Sequence, residues 1–373
     1  MSWERWTAKV SAPLSATESN GHCMEELLRS IPILGESILL YLVLAALPLV
    51  FMLLYALVTV WVEMKVSAHI QDRLAYMRTG PHGVAQPIAD VLKLLQKENT
   101  VPATADKFLH ALSPYLVFAG TYGAFAAIPF SSAYIGSNID LGVFYLVAVS
   151  SIVVVGILMA GWASNNKWSL FGAVRSAAQI ISYEIPAALA ILVAVMISES
   201  LNLQVVSRLQ QGGIQDWIVF GGALPLTQKL LVMPFTIIAF LMLLIAGIAE
   251  VNRTPFDLPE AESELVQGYN TEYSGMRFAV FYMAEYANMF VVAAIAASLF
   301  LGGWASPFGE FLSGPIWGFV WIVAKGMFIV FVQIWVRWTL PRLRVDQLMY
   351  TAWKVMIPAL FLCVFAVGLI LVL

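Results

Sequence analysis

The sequence predicts an all-α protein with about eight transmembrane helices and one amphipathic helix in the membrane interface. Of its 373 residues, 60% are hydrophobic and only 12% are charged, whereas about a quarter of the residues of a soluble domain are charged. The hydrophobic residues form about eight runs, each long enough to cross roughly 30 Å of hydrocarbon as a helix of about 20 residues. We therefore expect a polar tail at residues 1–35 and a single transmembrane domain at 36–373.

The distribution of basic residues predicts how these helices are oriented. The predicted spans cover about residues 36–62, 108–130, 141–163, 180–197, 229–249, 278–301, 316–335 and 352–373. Because cytoplasmic loops are rich in Lys and Arg, the connections that hold most of the 20 basic residues are predicted to face the inner side, namely those at about 63–107, 164–179, 250–277 and 336–351. The tail lacks the features of a signal peptide, and a short interfacial helix is expected around residues 24–30.

The first inner connection contains an amphipathic segment. After Pro87, the sequence IADVLKLLQKE places Ile88, Val91, Leu92 and Leu95 on one helical face. A short run with this period is too polar to span the bilayer and predicts a helix in the interface. Two locations are compatible with this pattern. The helix could rest on lipid headgroups, or it could line a cavity.

The connection at 250–277, here called the acidic loop, holds six of the chain's 23 acidic residues. Its prolines prevent a continuous helix. Asp257 with Glu260, and Pro259 between them, predict the start of a short helix. On that helix Glu260 and Glu264 form a like-charge pair that costs about 0.2–0.5 kcal/mol, so helix stability does not explain the cluster. The acidic residues of the loop could serve a function, or they could simply form the acidic first turn of a solvated helix with no functional role.

Ionisable residues also lie within the apolar runs. Glu184, Glu285 and Lys325 fall inside predicted spans, and Glu63 and Glu250 fall at the inner ends of two others. A charge at the centre of a membrane helix costs about 2.5–3.5 kcal/mol on insertion scales, and such groups usually face the protein interior or water. The pattern predicts a relay for protons or charge. The alternative is a structural ion pair, for instance between Lys325 and a glutamate.

Several functions are disfavoured by what the sequence contains. Cys23 and Cys363 lack the spacing of a metal site, so a disulfide framework, an iron–sulfur cluster or a zinc site is not expected in this chain. A haem held between transmembrane histidines is disfavoured, because the histidines lie in the tail or around the first long connection: His22, His69, His82 and His110. Any electron carrier is therefore expected in a partner, and the net charge of −3 gives no reason to expect nucleic acid.

Four stretches resemble the H subunit of respiratory NADH-quinone oxidoreductase, complex I. They are QPIADVLKLLQKE, SLFGAVRSAAQIISYEIP, AEVNRTPFDLPEAESELVQGYNTEYSGMRFAVFYMAEY and WVRWTLPRLRVDQLMYTAWK, at residues 86–98, 169–186, 249–286 and 335–354. The similarity covers nearly everything from Glu63 to Pro358, and the motif in the acidic loop is the most specific part. Composition predicts a membrane protein; only this resemblance predicts the enzyme.

The resemblance implies a membrane protein at the junction of the membrane and peripheral arms of the complex. It places the quinone-chamber residues on the acidic loop, against soluble partner subunits: Arg253, Asp257, Glu260, Glu262 and Glu264. It places Glu63, Glu184, Glu250 and Glu285 at the start of a charged path toward proton-pumping subunits. The quinone tail would enter from lipid past the first span and the amphipathic helix.

The same resemblance implies that this chain binds no redox cofactor and that no residue is assigned as catalytic. FMN, the NADH site and the iron–sulfur clusters would lie in partner subunits, among them the peripheral-arm subunits of the quinone site and the small membrane-arm subunits. The expected location is the bacterial inner membrane. Quinone is the expected substrate, lipid surrounds the chain, and neither a metal nor nucleic acid is expected.

Two departures from the family pattern affect the first connection. Met64 stands where the family usually has Arg, and Ala75-Tyr76 replaces a Gly-Pro pair. The nearest alternative is the related membrane protein of a proton-pumping hydrogenase or of a complex fed by another donor such as ferredoxin. A transporter that acts alone is a further alternative. Such folds often contain internal repeats, and the sequence has no second copy of the acidic loop.

Overall fold

The computed structural model describes residues 38–309 and 311–372 and is all-α in those ranges, apart from a single antiparallel bridge between Pro129 and Ile135. The predicted fold class is confirmed, since seven helices of the described part are long and apolar enough to cross a membrane. The predicted tail at 1–35, with its interfacial helix, lies outside the described residues.

Twelve helices are used below. They are α1 (Ile38–Ile70), α2 (Gln86–Gln96), α3 (Lys107–Phe125), α4 (Gly142–Ala163), α5 (Lys167–Ser198), α6 (Leu203–Leu209), α7 (Leu226–Glu250), α8 (Glu262–Leu265), α9 (Gly275–Phe300), α10 (Pro315–Thr339), α11 (Val345–Tyr350) and α12 (Ile357–Val372). A π-helical turn at Thr351–Met356 joins α11 to α12, so that Val345–Val372 forms one membrane-length segment.

Two helices extend well into connections that the sequence predicted as loops. Helix α1 continues to Ile70, so Glu63 lies inside a helix and not at its polar exit. Helix α5 begins at Lys167, so most of the connection predicted at 164–179 is helical. The sequence pattern missed both extensions because their polar side chains, Glu63 among them, are bound inside the protein and not by water.

Helix α3 corresponds to the span predicted at about 108–130, but it is not among the seven helices of the described part that meet the criteria of length and apolarity. It begins at the Asp106 cap, whose side chain accepts hydrogen bonds from Phe108 N and Leu109 N. Polar residues on its buried face, such as Ser113 and Thr121, lower its hydropathy. Such residues are tolerated because this face packs against α4 and α9 and not against lipid.

The amphipathic segment forms α2 as predicted, with Pro87 in its first turn. Its apolar side chains Ile88, Val91, Leu92 and Leu95 are all exposed in this chain, between 40% and 54%. They therefore do not line a cavity within the described part of the chain. A helix with this exposed face fits against lipid or a partner protein.

Helix α9 runs through the centre of the bundle. Its second half is almost completely buried and rich in small residues, including Ala293, Ala294, Ala296 and Ala297. Small residues allow membrane helices to approach closely, and a side chain at Gly247 of α7 would collide with Val292 of α9. Because α9 begins where the acidic loop ends, it connects that loop to the interior of the membrane domain.

Candidate functional site

The start of the acidic loop is fixed by side chains of α5. Gln179 Nε2 donates to Ala249 O at 2.8 Å and to Asn252 Oδ1 at 3.1 Å. Asn252 Nδ2 in turn donates to Ser176 Oγ at 3.1 Å, and Asn252 adopts a left-handed conformation with φ of 55°. These bonds bind the free end of α7 and turn the chain inward, so that the next residue, Arg253, points into the bundle.

Arg253 lies at the centre of a buried charge cluster formed by the acidic loop, α1 and α9. Its side chain is 5% exposed, with Nε 2.9 Å from Glu285 Oε1 and Nη1 3.5 Å from Glu63 Oε1. The guanidinium also lies 4.4 Å from the centre of the Tyr286 ring. One arginine thus bridges two carboxylates from different helices, which compensates much of the cost of burying all three charges.

Glu63 has further partners. Tyr286 Oη donates to Glu63 Oε2 at 2.6 Å, and the hydroxyls of Tyr286 and Tyr282 lie 3.0 Å apart. Arg337 of α10 also contacts the Glu63 carboxylate. Sequence reasoning did not assign these two tyrosines or Arg337 to the site. The tyrosines flank Glu285 in the motif YMAEY with helical spacing, a signal that could have revealed them.

Glu260 is half-buried near this cluster. Asn270 Nδ2 donates to Glu260 Oε1 at 2.8 Å. Burial, and next the charge of Asp257, raise the pKa of Glu260 to about 7, against the opposing effect of Arg253. A carboxyl group with this pKa exchanges a proton readily at neutral pH, as expected of an acid–base group.

Glu264 lies in a different environment, at the surface of the loop. Its carboxylate accepts hydrogen bonds of 2.6 Å from Arg175 of α5 and from Arg342, which precedes α11. The hydrogen bond from Arg175 is the main reason why the pKa of Glu264 is lowered. Glu264 therefore stays charged and ties the loop to two neighbouring segments.

The short helix of the acidic loop differs from the one expected from the sequence. It spans only Glu262–Leu265, and Glu260 precedes it in an irregular turn. Glu260 and Glu264 therefore do not form the expected like-charge pair on one helix, because Glu260 lies outside α8, in a turn against which Gly268 packs closely. Glu262 belongs to α8, but its side chain lies outside what the structure describes.

Glu184 and Glu250 face a cavity of about 40 Å³ deeper in the bundle, which is lined mainly by α3, α4, α5, α7 and α9. Ser151 Oγ donates to Glu184 Oε1 at 2.6 Å, and Asn288 and Ser150 also line the cavity. A site needs roughly 10–15 Å³ for one water molecule and several polar partners to hold it. The cavity therefore has room and partners for a short chain of water.

The four glutamates predicted for a relay thus fall into two groups. Glu63 and Glu285 belong to the Arg253 cluster, whereas Glu184 and Glu250 line the cavity. Both groups border α9, and Asn288, one helical turn beyond Glu285, faces the cavity.

Lys325 lies apart from these glutamates. Its ammonium donates to the backbone oxygens of Leu301, Gly303 and Ala305. No ion pair of Lys325 with a glutamate occurs in the part of the chain that the structure describes. The ion pair considered as an alternative from the sequence is therefore replaced by backbone carbonyls, because the chain turns at Gly302 and presents these oxygens to the side chain.

Within the described ranges, two histidines lie inside helices of the bundle, namely His69 in the last turn of α1 and His110 in α3. His110 is fully buried, with its ring stacked 4.1 Å from Tyr273 and its Nδ1 3.1 Å from Arg277 Nη1. Since arginine only donates, Nδ1 accepts this bond. No group of His, Cys, Asp and Glu in the described ranges could hold a metal ion.

Comparison with known proteins identifies the family to which this arrangement belongs. The family described as NADH dehydrogenase matches residues 43–368. The chain is 53% identical over 331 residues to the H subunit of NADH-quinone oxidoreductase from Chlorobium luteolum, with 86% of each chain covered. The chain belongs to this family of oxidoreductase subunits. The resemblance inferred from the sequence is thereby confirmed.

Other relatives with the same name agree with this assignment. The H subunit from Chlorobaculum tepidum is 52% identical over 327 residues, and the match covers 85% of this chain and 88% of the relative. The one from Anaeromyxobacter dehalogenans is 47% identical over 322 residues, with 82% and 75% covered. Members of this family are subunits of an enzyme complex, and this one is a multi-pass membrane protein.

Proposed function

We propose that this chain forms part of the quinone chamber of a proton-translocating NADH-quinone oxidoreductase and contains the start of the charged path that couples quinone reduction to proton pumping. The relatives are named for this oxidoreductase. The observation that carries the finer proposal is the Arg253 bridge, which joins the acidic loop to Glu63 of α1 and Glu285 of α9. It provides a buried electrostatic connection between the loop and the membrane helices.

The quinone would approach the acidic loop near Glu260. Reduction of a quinone to a quinol takes up two electrons, which partner subunits would supply from NADH through FMN and iron–sulfur clusters, and two protons. A carboxyl group with a pKa of about 7 can give up a proton in this step or respond to the change in charge. The chain itself would contribute the binding surface, the charge and the proton exchange, and no redox group.

A change at Glu260 would reach the membrane interior through Arg253. The charge of Arg253 acts on Glu260 and favours its ionised form, and Arg253 also contacts Glu285 and Glu63. Loss of the negative charge on Glu260 would let the guanidinium shift toward the other two carboxylates. Such a shift would change the field at the cavity of Glu184 and Glu250, from which water could pass a proton onward.

The remaining surfaces fit the same assembly. The acidic loop and the exposed Arg342 face the predicted inner side, where peripheral-arm subunits would bind, and small membrane-arm subunits would pack against the lipid-facing helices. The exposed apolar face of α2 would rest in the interface near the entrance for the quinone tail. The bacterial inner membrane is the proposed location, in keeping with the bacterial relatives.

The test is Glu260→Gln in the intact complex, with NADH-quinone reductase activity and proton pumping measured in the same membranes. Assembly is checked by native gel. The matched control is Glu199→Gln, an exposed glutamate at the opposite end of α5. We expect both activities to fall together in the first variant and to remain in the second. Unchanged activities in an assembled Glu260→Gln complex would contradict the proposal.

A further inference from the structure

Lys325 is a buried charge that the proposed path does not use. Its Nζ lies 2.7 Å from Leu301 O, 2.9 Å from Gly303 O and 2.7 Å from Ala305 O, and 4.6 Å from the centre of the Trp217 ring. A neutral amine has only two N–H donors, and its lone pair cannot bond to a carbonyl. Three carbonyl acceptors and an aromatic face therefore indicate a charged ammonium.

This charge lies toward the end of the bundle opposite the acidic loop. Leu301 follows Glu285 by sixteen residues, which corresponds to about 24 Å along a helix. The cavity of Glu184 and Glu250 extends in the same direction, because its lining includes Leu299 near the end of α9. Lys325 is thus placed beyond the far end of that cavity.

Gln210 joins the cavity wall to the turn that binds Lys325. Its Nε2 donates to Leu299 O at 3.2 Å and to Ser298 O at 3.3 Å. Its Oε1 accepts from Gly302 N at 3.0 Å. Gln210 is almost completely buried, so the region between the cavity and Lys325 contains polar groups in place of a continuous apolar seal.

Two buried hydroxyl groups in this region could form hydrogen bonds to internal water. Ser207 and Ser298 are both buried, and within the described ranges neither hydroxyl oxygen has a hydrogen-bond partner. Ser207 lies directly against Gly303, one of the residues that bind Lys325. Buried hydroxyls without a protein partner are sites that internal water commonly occupies. Water in the cavity could therefore continue toward the far side of the membrane.

We propose that Lys325 acts as a fixed positive barrier that stops protons from leaking out of the cavity toward the side of the membrane opposite the acidic loop. A fixed positive charge in a narrow polar passage excludes protons and other cations. The inference rests on the proposed path, because a barrier is needed only where protonated groups and water enter the membrane. In this proposal, Lys325 blocks the passage of protons and does not itself transfer them.

The experiment compares Lys325→Met with the unaltered complex, each reconstituted into liposomes that contain a pH-sensitive dye. Passive proton leak is measured after a pH gradient is imposed, without NADH, and quinone reductase activity is measured separately. We expect the variant to keep its reductase activity and to leak at least about tenfold faster, since removal of a nearby charge in a low-dielectric site removes a barrier of that size or larger. Lys325→Arg keeps the charge, so its proton leak should remain as low as that of the unaltered complex.

The outcomes separate this inference from the proposed function. If the Lys325→Met complex assembles, is active and shows no increase in proton leak, Lys325 is not a barrier, and the proposed path is unaffected. A leak that persists when Glu250→Gln is added would keep the barrier but count against the path through that residue. If Lys325→Met does not assemble, Lys325→Gln is used instead, because its amide N–H groups can still donate to the carbonyls without the charge. Failure of both neutral variants to assemble, with normal assembly of Lys325→Arg, would show a structural cap and overturn the inference.

Discussion

Glu260 and Glu264 are the same residue type, four positions apart in one loop, and they have opposite properties. Burial and the neighbouring Asp257 raise the pKa of Glu260 to about 7, whereas Arg175 and Arg342 lower the pKa of the exposed Glu264. The inner end of the loop therefore holds a carboxyl group whose pKa lies near neutral pH, and the exposed end holds a charged carboxylate in two ion pairs that fasten the loop. The environment, and not the residue type or its spacing, decides which role each carboxylate takes.

The largest effect should follow removal of the arginine at the buried end. Arg253→Met leaves Glu63 with one basic partner fewer and Glu285 without its arginine, and removal of one partner from a buried ion pair typically costs about 3–5 kcal/mol. We expect a strong loss of assembled complex on native gels and a large fall in its thermal midpoint. Arg175→Met, at the exposed end, is the control and should cost less than about 1 kcal/mol. Equal effects of the two variants would show that burial does not distinguish the ends.

The next effect should come from the turn that separates the two carboxylates. Gly268 has φ of 56°, and a side chain there would collide with the backbone of Pro259. Gly268→Ala should therefore destabilise the loop by roughly 1–3 kcal/mol and move Asn270 away from Glu260. A fall in quinone reductase activity with the complex still assembled would be the signature. Gly314→Ala, where a side chain meets only one atom at 3.8 Å and φ is negative, is the matched control.

A smaller effect should appear as a change in pH dependence. Because the pKa of Glu260 is raised from 4.5 to about 7, the folded state binds an extra proton between those values. The resulting stability is fully present below about pH 4.5 and is lost as the pH rises through about 7. Glu260→Gln removes this titration. Between pH 5 and 8 the stability of the variant should therefore rise relative to that of the unaltered complex, by up to roughly 1–3 kcal/mol, and this gain is measured as a higher thermal midpoint. A constant difference across that range would mean that Glu260 does not titrate there.

Much of the fold followed from the sequence, because hydrophobic runs of sufficient length require helices in a membrane. The amphipathic helix followed from its period alone. The extended ends of α1 and α5 did not, because Glu63 and Ser176 look solvated in the sequence and are buried against distant segments in the structure. For the same reason the sequence indicated acidic residues in the loop but not which of them are buried. Which carboxylates are buried and which are exposed depends on three arginines. Arg253 belongs to the loop and folds inward, whereas Arg175 and Arg342 approach the loop from other parts of the chain.

The smallest effect should follow a change at the exposed end of the loop. Glu264→Gln breaks two ion pairs whose side chains are between 31% and 44% exposed, and exposed pairs contribute at most about 1 kcal/mol each. Dissolved salt screens exposed charges over a Debye length of about 10 Å at 0.1 M, and this length shortens as salt is raised. The loss in thermal midpoint should therefore shrink at high salt. The raised pKa of Glu260 should remain, since burial is its main cause, and the pH dependence described above should be unchanged. A loss of that pH dependence in Glu264→Gln would show that the exposed clamp also sets the burial of Glu260, and the two ends of the loop would then act as one unit.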